Sequence, residues 1–106
     1  MTYEQSQSEY RPPEYDAVRH ILGAPLIESR TRPYVGEGDF DWVGLEREAA
    51  TMSGGERFLV RIASDLWTTE KTIPLAELPR RLDERNFRRV LEALRLARGE
   101  AADLAA

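Results

Sequence analysis

Between positions 80 and 95 the chain carries Arg80, Arg81, Arg85, Arg88, Arg89 and Arg95. Guanidinium groups present a planar fork of donors that matches carboxylates, phosphates and guanine edges. This stretch is therefore the first place to look for recognition chemistry. A second is Ser53-Gly54-Gly55-Glu56-Arg57, a glycine turn where a helix should begin. The leading amides of a helix have no partner within it and attract anions. Glu37, Asp39 and Asp41 alternate along a third stretch, the kind of oxygen donors a hard cation uses, but no Ca²⁺-loop pattern surrounds them. They read better as helix caps. His20 is the lone histidine, and there is no cysteine. Thiolate metal sites, thiol nucleophiles and disulfides are thus excluded. His20 sits near the end of a helix, where it complements the dipole. No nucleophile–base set, cofactor loop or metal cluster emerges, so the chain reads as a non-enzyme with neither cofactor nor metal.

The elements that must position these groups are helices. Ser53 and Glu56 form a capping box in sequence, since each side chain can serve the other's amide. Behind it, Leu59, Ile62, Ala63 and Leu66 recur at helical spacing. Phe58 widens that face on one side, and Val60 and Trp67 on the other. Only Arg57, Arg61, Ser64 and Asp65 remain for solvent. An apolar arc this wide needs cover from two directions, which makes residues 53–67 the central helix of a small core.

Pro12 and Pro13 can open a helix over residues 13–22, with Tyr15, Val18 and Leu22 inward and Gly23 and Pro25 ending it. Pro12-Pro13-Glu14-Tyr15 also matches the pattern that WW domains read. Residues 24–40 read as an irregular connection from which Leu26, Ile27, Tyr34 and Val35 dock on the core. Asp39 or Asp41 caps a helix over roughly 41–51, carrying Trp42, Leu45, Ala49 and Met52 inward. Gly44 weakens it by ~1 kcal/mol relative to Ala. Pro74 starts a helix over 74–82 with Leu75 and Leu78 inward. Asp83 caps the last one, over 84–98, and Gly99 ends it. Its inward stripe is Phe87, Val90, Leu91 and Leu94, leaving Leu96 outside among the arginines.

The expected architecture is a mostly all-α, single-domain bundle of four to five helices, in which residues 74–82 and 84–98 pack against the central helix and the N-terminal arm is irregular. A polar N-terminal tail spans 1–12, the helical domain 13–99, and a fraying tail 100–106. No apolar run nears ~18 residues and the first ten residues are polar and acidic, so neither a membrane span nor a secretory signal is expected. A cytoplasmic protein is. Fourteen of the fifteen basic residues are Arg, pointing to a GC-rich, bacterial or phage genome.

Charge is unevenly spread. Residues 1–52 carry five Arg against ten acids, while Arg80–Arg98 carries seven Arg against three acids. The leading expectation is a small protein-interaction module that binds another protein, or itself, through the acidic arm or through Arg80, Arg81, Arg85, Arg88, Arg89, Arg95 and Leu96. The alternative is nucleic-acid binding by the same residues. The two helical patterns from Pro74 to Arg98, preceded by the central helix, resemble the tri-helical plan of helix-turn-helix DNA-binding domains. That resemblance implies a second helix in the major groove. The segment joining the two helices here, around Leu82–Phe87, is shorter than that plan uses and has no glycine.

Thr51-Met52-Ser53-Gly54-Gly55-Glu56-Arg57 resembles the signature segment of ATP-binding-cassette ATPases over about fifteen residues. The resemblance implies that Ser53, Gly54, Gly55 and Arg57 meet a nucleotide phosphate supplied by another subunit. The family's phosphate-gripping Gly-x-x-x-x-Gly-Lys-Ser/Thr loop is missing, and Lys71 is the only lysine. No strand ending in Asp-Glu follows either. Hydrolysis by this chain alone has no route. A capped core helix accounts for the same residues.

Overall fold

The computed structural model of the protein describes residues 12–100. Apart from Pro12 and Glu100, the expected tails at 1–12 and 100–106 lie outside the described residues. Helix α1 runs Pro13–Leu22. Pro13 occupies a position whose N–H would be unpaired anyway. Tyr15, Ala17, Val18, Ile21 and Leu22 are all buried. The Tyr15 ring turns inward and its hydroxyl donates to the Gly36 carbonyl at 2.5 Å. The Pro-Pro-Glu-Tyr run is therefore a helix start and not an exposed extended ligand.

A short helix, α2 (Glu28–Thr31), and a 3₁₀ turn over Arg32–Tyr34 order the connection expected to be irregular. Thr31 is buried, and its hydroxyl donates to the Leu22 carbonyl at 2.7 Å, fastening α2 to the end of α1. Ile27, Tyr34 and Val35 reach the core as expected. Leu26 does not; it is exposed. An isolated antiparallel bridge joins Val35 to Phe40 across a turn in which Gly38 takes φ +81°. Among the described residues there is no strand.

Helix α3 (Trp42–Ala49) is capped by Asp41, whose Oδ1 accepts from the Gly44 amide at 3.0 Å. Helix α4 (Gly54–Thr68) carries the capping box: Ser53 N donates to Glu56 Oε1 at 2.9 Å, and Glu56 N to Ser53 Oγ at 3.3 Å. Phe58, Leu59, Val60, Ile62 and Ala63 are buried, so this helix is enclosed as its wide apolar arc required. Helix α5 (Glu77–Arg81) is short, and α6 (Glu84–Ala97) is capped by Asp83, whose Oδ1 accepts from Asn86 N at 2.8 Å. Gly99 leaves α6 at φ +91°, a conformation suited to glycine.

The fold is all-α, with four helices of eight residues or more and two short ones. Two placements differ from expectation. First, α6 packs chiefly on α1, so α1 lies between α4 and α6. Second, the helix expected from Pro74 begins only at Glu77. Pro79 explains this. A proline ring clashes with the carbonyl four residues earlier in a helix, here that of Leu75. Starting at Glu77 places Pro79 in the first turn, where it is tolerated.

Candidate interaction face

Helix α6 is rotated by roughly a quarter-turn from the face its leucines suggested, taking 100° per residue. Val90 and Ala93 are buried, and Leu96 and Ala97 are half-buried against the core. Leu91 and Leu94 are 45% and 39% exposed. The expectation that Leu96 stands outside is thus corrected, as is the inward assignment of Leu91 and Leu94. Two long-range bonds hold this rotation. Arg89 Nη1 donates to the His20 carbonyl at 2.6 Å, near the end of α1. His20 Nε2 lies 2.8 Å from Glu92 Oε1. Ala93 on α6 and Ala17 on α1 are both fully buried, and small residues let helix backbones approach closely.

The six arginines disperse. Arg80 lies 3.7 Å from Glu77 Oε2, and Arg88 lies 3.2 Å from Glu84 Oε2. Arg95 Nε donates to Glu100 Oε1 at 2.9 Å. The Arg81 guanidinium sits 4.3 Å above the Phe58 ring, a cation–π contact. Arg89 is turned toward α1. Arg85 is exposed. Only Arg88 and Arg95 are brought together, and Arg98 joins them.

Leu94 connects them to an apolar groove. An open groove of about 230 Å³ is bounded by Ile62 and Leu66 of α4, Ile73, Leu75 and Leu78 of the following segment, and Leu94 of α6. Leu94 also borders a second open depression, of about 530 Å³, which carries Leu91, Arg88, Glu92, Arg95 and Arg98. Leu75 is 77% exposed. The Asp65 carboxylate shapes the groove's edge. It accepts from the Thr72 hydroxyl and the Ile73 amide, both at 2.8 Å. Burial pushes this carboxyl up, but the bonds from Thr72 and Ile73, with Arg61 nearby, outweigh that and hold it below the usual aspartate range. The chain reaches Asp65's partners through Thr69 and Lys71, which both take positive φ, 59° and 63°.

The glycine turn is occupied differently. Ser53 and Glu56 serve each other's amides. Arg57 donates from Nε to the Ala49 carbonyl at 3.2 Å and from Nη2 to the Met52 carbonyl at 3.1 Å, closing the end of α3. Gly54 and Gly55 are exposed, and a Cβ at either would touch nothing. A cleft of about 470 Å³ lies beside this turn, between α3 and α4. Its cations Arg57 and Arg61 are matched by Glu46 and Glu70. Trp42, on its wall, has a buried indole N–H without an acceptor among the described residues. Asp39 and Asp41 accept from the Phe40 and Gly44 amides. Among the described residues no group of three or more His, Asp or Glu side chains could hold a metal ion. No helix there is long and apolar enough to cross a membrane.

Sequence reasoning missed Leu75, Leu91 and Leu94 because it spent them on the core. The available signal was the second stripe on α6, Val90, Ala93 and Ala97, which has helical spacing too. Comparison with protein-family models, curated proteins and solved structures finds no match to this chain.

Proposed function

We propose that the protein is a non-enzymatic, cytoplasmic interaction module that docks another protein on the face formed by Leu75, Leu91 and Leu94. One observation carries this reading. Of the five large apolar side chains that stand exposed among the described residues, these three adjoin: Leu75 and Leu94 line one groove, and Leu94 and Leu91 line the depression beside it. Isolated exposed leucines are ordinary, whereas a contiguous patch with a polar margin marks an interface. Arg88 and Arg95 form part of that margin, so part of the arginine face takes part, and Leu96 does not.

Nucleic-acid binding by α6 has less support. Arg81 is laid on the Phe58 ring and Arg89 is turned onto the His20 carbonyl, so the six arginines do not form one continuous basic track along the helix. An accessory role toward nucleotide at residues 53–57 has less again, because Ser53 and Arg57 already spend their polar atoms on α3 and α4.

The test is affinity capture from nuclease-treated cell extract, with the full chain as bait. The set retained by the wild type should be lost with Leu91→Asp/Leu94→Asp and kept with Arg80→Glu/Arg85→Glu. An unchanged set with the leucine variant overturns the reading. So does binding to duplex DNA that falls steeply with salt and is abolished by the arginine variant.

A further inference from the structure

We infer that the occupant of this face is an acidic amphipathic helix of a different protein, an inference that rests on the docking reading above. Recognition by an exposed strand edge is not open to the described residues, since they contain no strand. The groove instead has the form used by helix-in-groove partners. Its floor is apolar, with Ile62, Leu66 and Val90 at its base and Leu75 and Leu94 at its sides. A docked helix would place apolar anchors at i, i+3 or i+4, and i+7, along the line from Leu75 past Leu94 to Leu91.

The charge around that line selects the partner. Lys71, Arg88, Arg95 and Arg98 stand at the margins, against the carboxylates of Asp65 and Glu92. Both carboxylates are already engaged: Asp65 by Thr72 and Ile73, Glu92 by His20. The cations are held only by exposed pairs with Glu84 and Glu100, which contribute little and exchange readily. Arg95 and Arg98 share the single carboxylate of Glu100, so three arginines are held by two carboxylates and an incoming helix meets a surplus of positive charge at the rim. Glutamates flanking its apolar stripe would take up Arg88, Arg95 and Arg98.

The same charges disfavour a second copy as the occupant. Two α6 helices crossing antiparallel at Leu91 and Leu94 would bring Arg88, Arg95 and Arg98 of each near those of the other. Like charges set together across an interface oppose it.

Three synthetic peptides of about 18 residues, some five helical turns, test this. They share one leucine stripe and carry Glu, Gln or Lys on the flanks. Each is titrated into the isotope-labelled full chain and followed by backbone amide shifts. The Glu peptide should perturb residues 73–78 and 87–98 and bind on the order of tenfold more tightly than the Lys peptide, about 1.4 kcal/mol. Its affinity should fall as salt rises. Arg88→Glu/Arg95→Glu, at two exposed positions, should reverse the order of the peptides while leaving the far-ultraviolet spectrum unchanged.

Equal binding of the Glu and Lys peptides overturns the inference, as does perturbation elsewhere or none with any peptide. Self-association that is abolished by Leu91→Asp overturns it in favour of a second copy. If the peptides fail while capture still depends on Leu91 and Leu94, the docking face stands and only the class of partner is wrong. If both fail, the face does not dock.

Discussion

Asp65→Ala would unfasten the edge of the groove. The wild-type carboxylate holds two donors at 2.8 Å, the Thr72 hydroxyl and the Ile73 amide. A hydrogen bond to a charged group contributes ~1.5–3 kcal/mol where water is excluded. Asp65 is only half-buried, so water competes and ~1–2 kcal/mol for the pair is the expected loss. For a domain of this size that lowers Tm by roughly 5–10 °C. The effect carries a pH signature. The folded carboxyl sits below its ordinary value, so the stability it contributes is fully present above the unfolded value of ~3.9. That stability is lost as pH falls through the folded value. Urea unfolding of wild type and variant, compared at pH 7 and in steps down to pH 3, should show a gap that narrows with acid. Exchange of the Ile73 amide at pH 7 should also quicken in the variant. A gap that stays constant across the pH range, or an unchanged Ile73 exchange rate, would refute the assignment of the loop's placement to this carboxylate.

Three further substitutions probe local causes. Gly44→Ala should destabilise by about 1–3 kcal/mol in chemical unfolding, because the new Cβ would fall 2.5 Å from Tyr34 Cε1 and 2.8 Å from Asp41 Oδ2; a gain would mean the Tyr34 ring moves freely. Ser53→Ala should lower stability by ~1 kcal/mol through loss of the capping box, with no change in peptide binding at the leucine face. Thr69→Gly should raise stability by about 0.5–1 kcal/mol, since a β-branched residue at φ 59° closes α4 where glycine fits without strain. A loss in thermal unfolding would count against strain at that position.

Helix ends were legible because capping is local chemistry. Ser53 with Glu56, Asp41, Asp83, and Pro13 with Gly23 each mark a boundary using residues a few positions apart. The enclosure of residues 53–67 was legible for a similar reason, a face too wide for the surface. The rotation of α6 was not. Two stripes on it obey the same spacing, Phe87–Val90–Leu91–Leu94 and Val90–Ala93–Ala97, and periodicity cannot rank them. The choice is made by partners some seventy residues away, the His20 carbonyl and ring, which meet Arg89 and Glu92. The late start of α5 was half legible: Pro79 is awkward in a helix begun at Pro74 and tolerable only in a first turn, but nothing local showed that Asp65 would hold the segment before it. The same limit hid the docking of Thr31 on the Leu22 carbonyl, which orders a stretch punctuated by Pro25, Pro33, Gly36 and Gly38.

The orientation of α6 is therefore also the strongest clue to use. Turning that helix by a quarter would bury the remaining 45% of Leu91 and 39% of Leu94 at the expense of Ala93, Ala97 and half-buried Leu96. Full burial of a leucine is worth ~1.5–3 kcal/mol, so the net gain is a fraction of that. The native rotation forgoes that gain. Part is offset by the packing of α6 on α1, where Ala17 and Ala93 are both fully buried. Part is offset by the bonds of Arg89 and Glu92 to His20. The leucines left outside are bordered by Arg88, Arg95 and Arg98, charges that keep an apolar surface from pairing with its own kind. A face that leaves leucine outside the core and borders it with three arginines held by only two carboxylates suits a surface covered on demand by an acidic partner. If an Arg89→Met variant, freed from the His20 carbonyl, rolled Leu91 and Leu94 inward, the chain should gain resistance to urea and lose the acidic peptide together. Loss of one without the other would separate the helix's rotation from its proposed use.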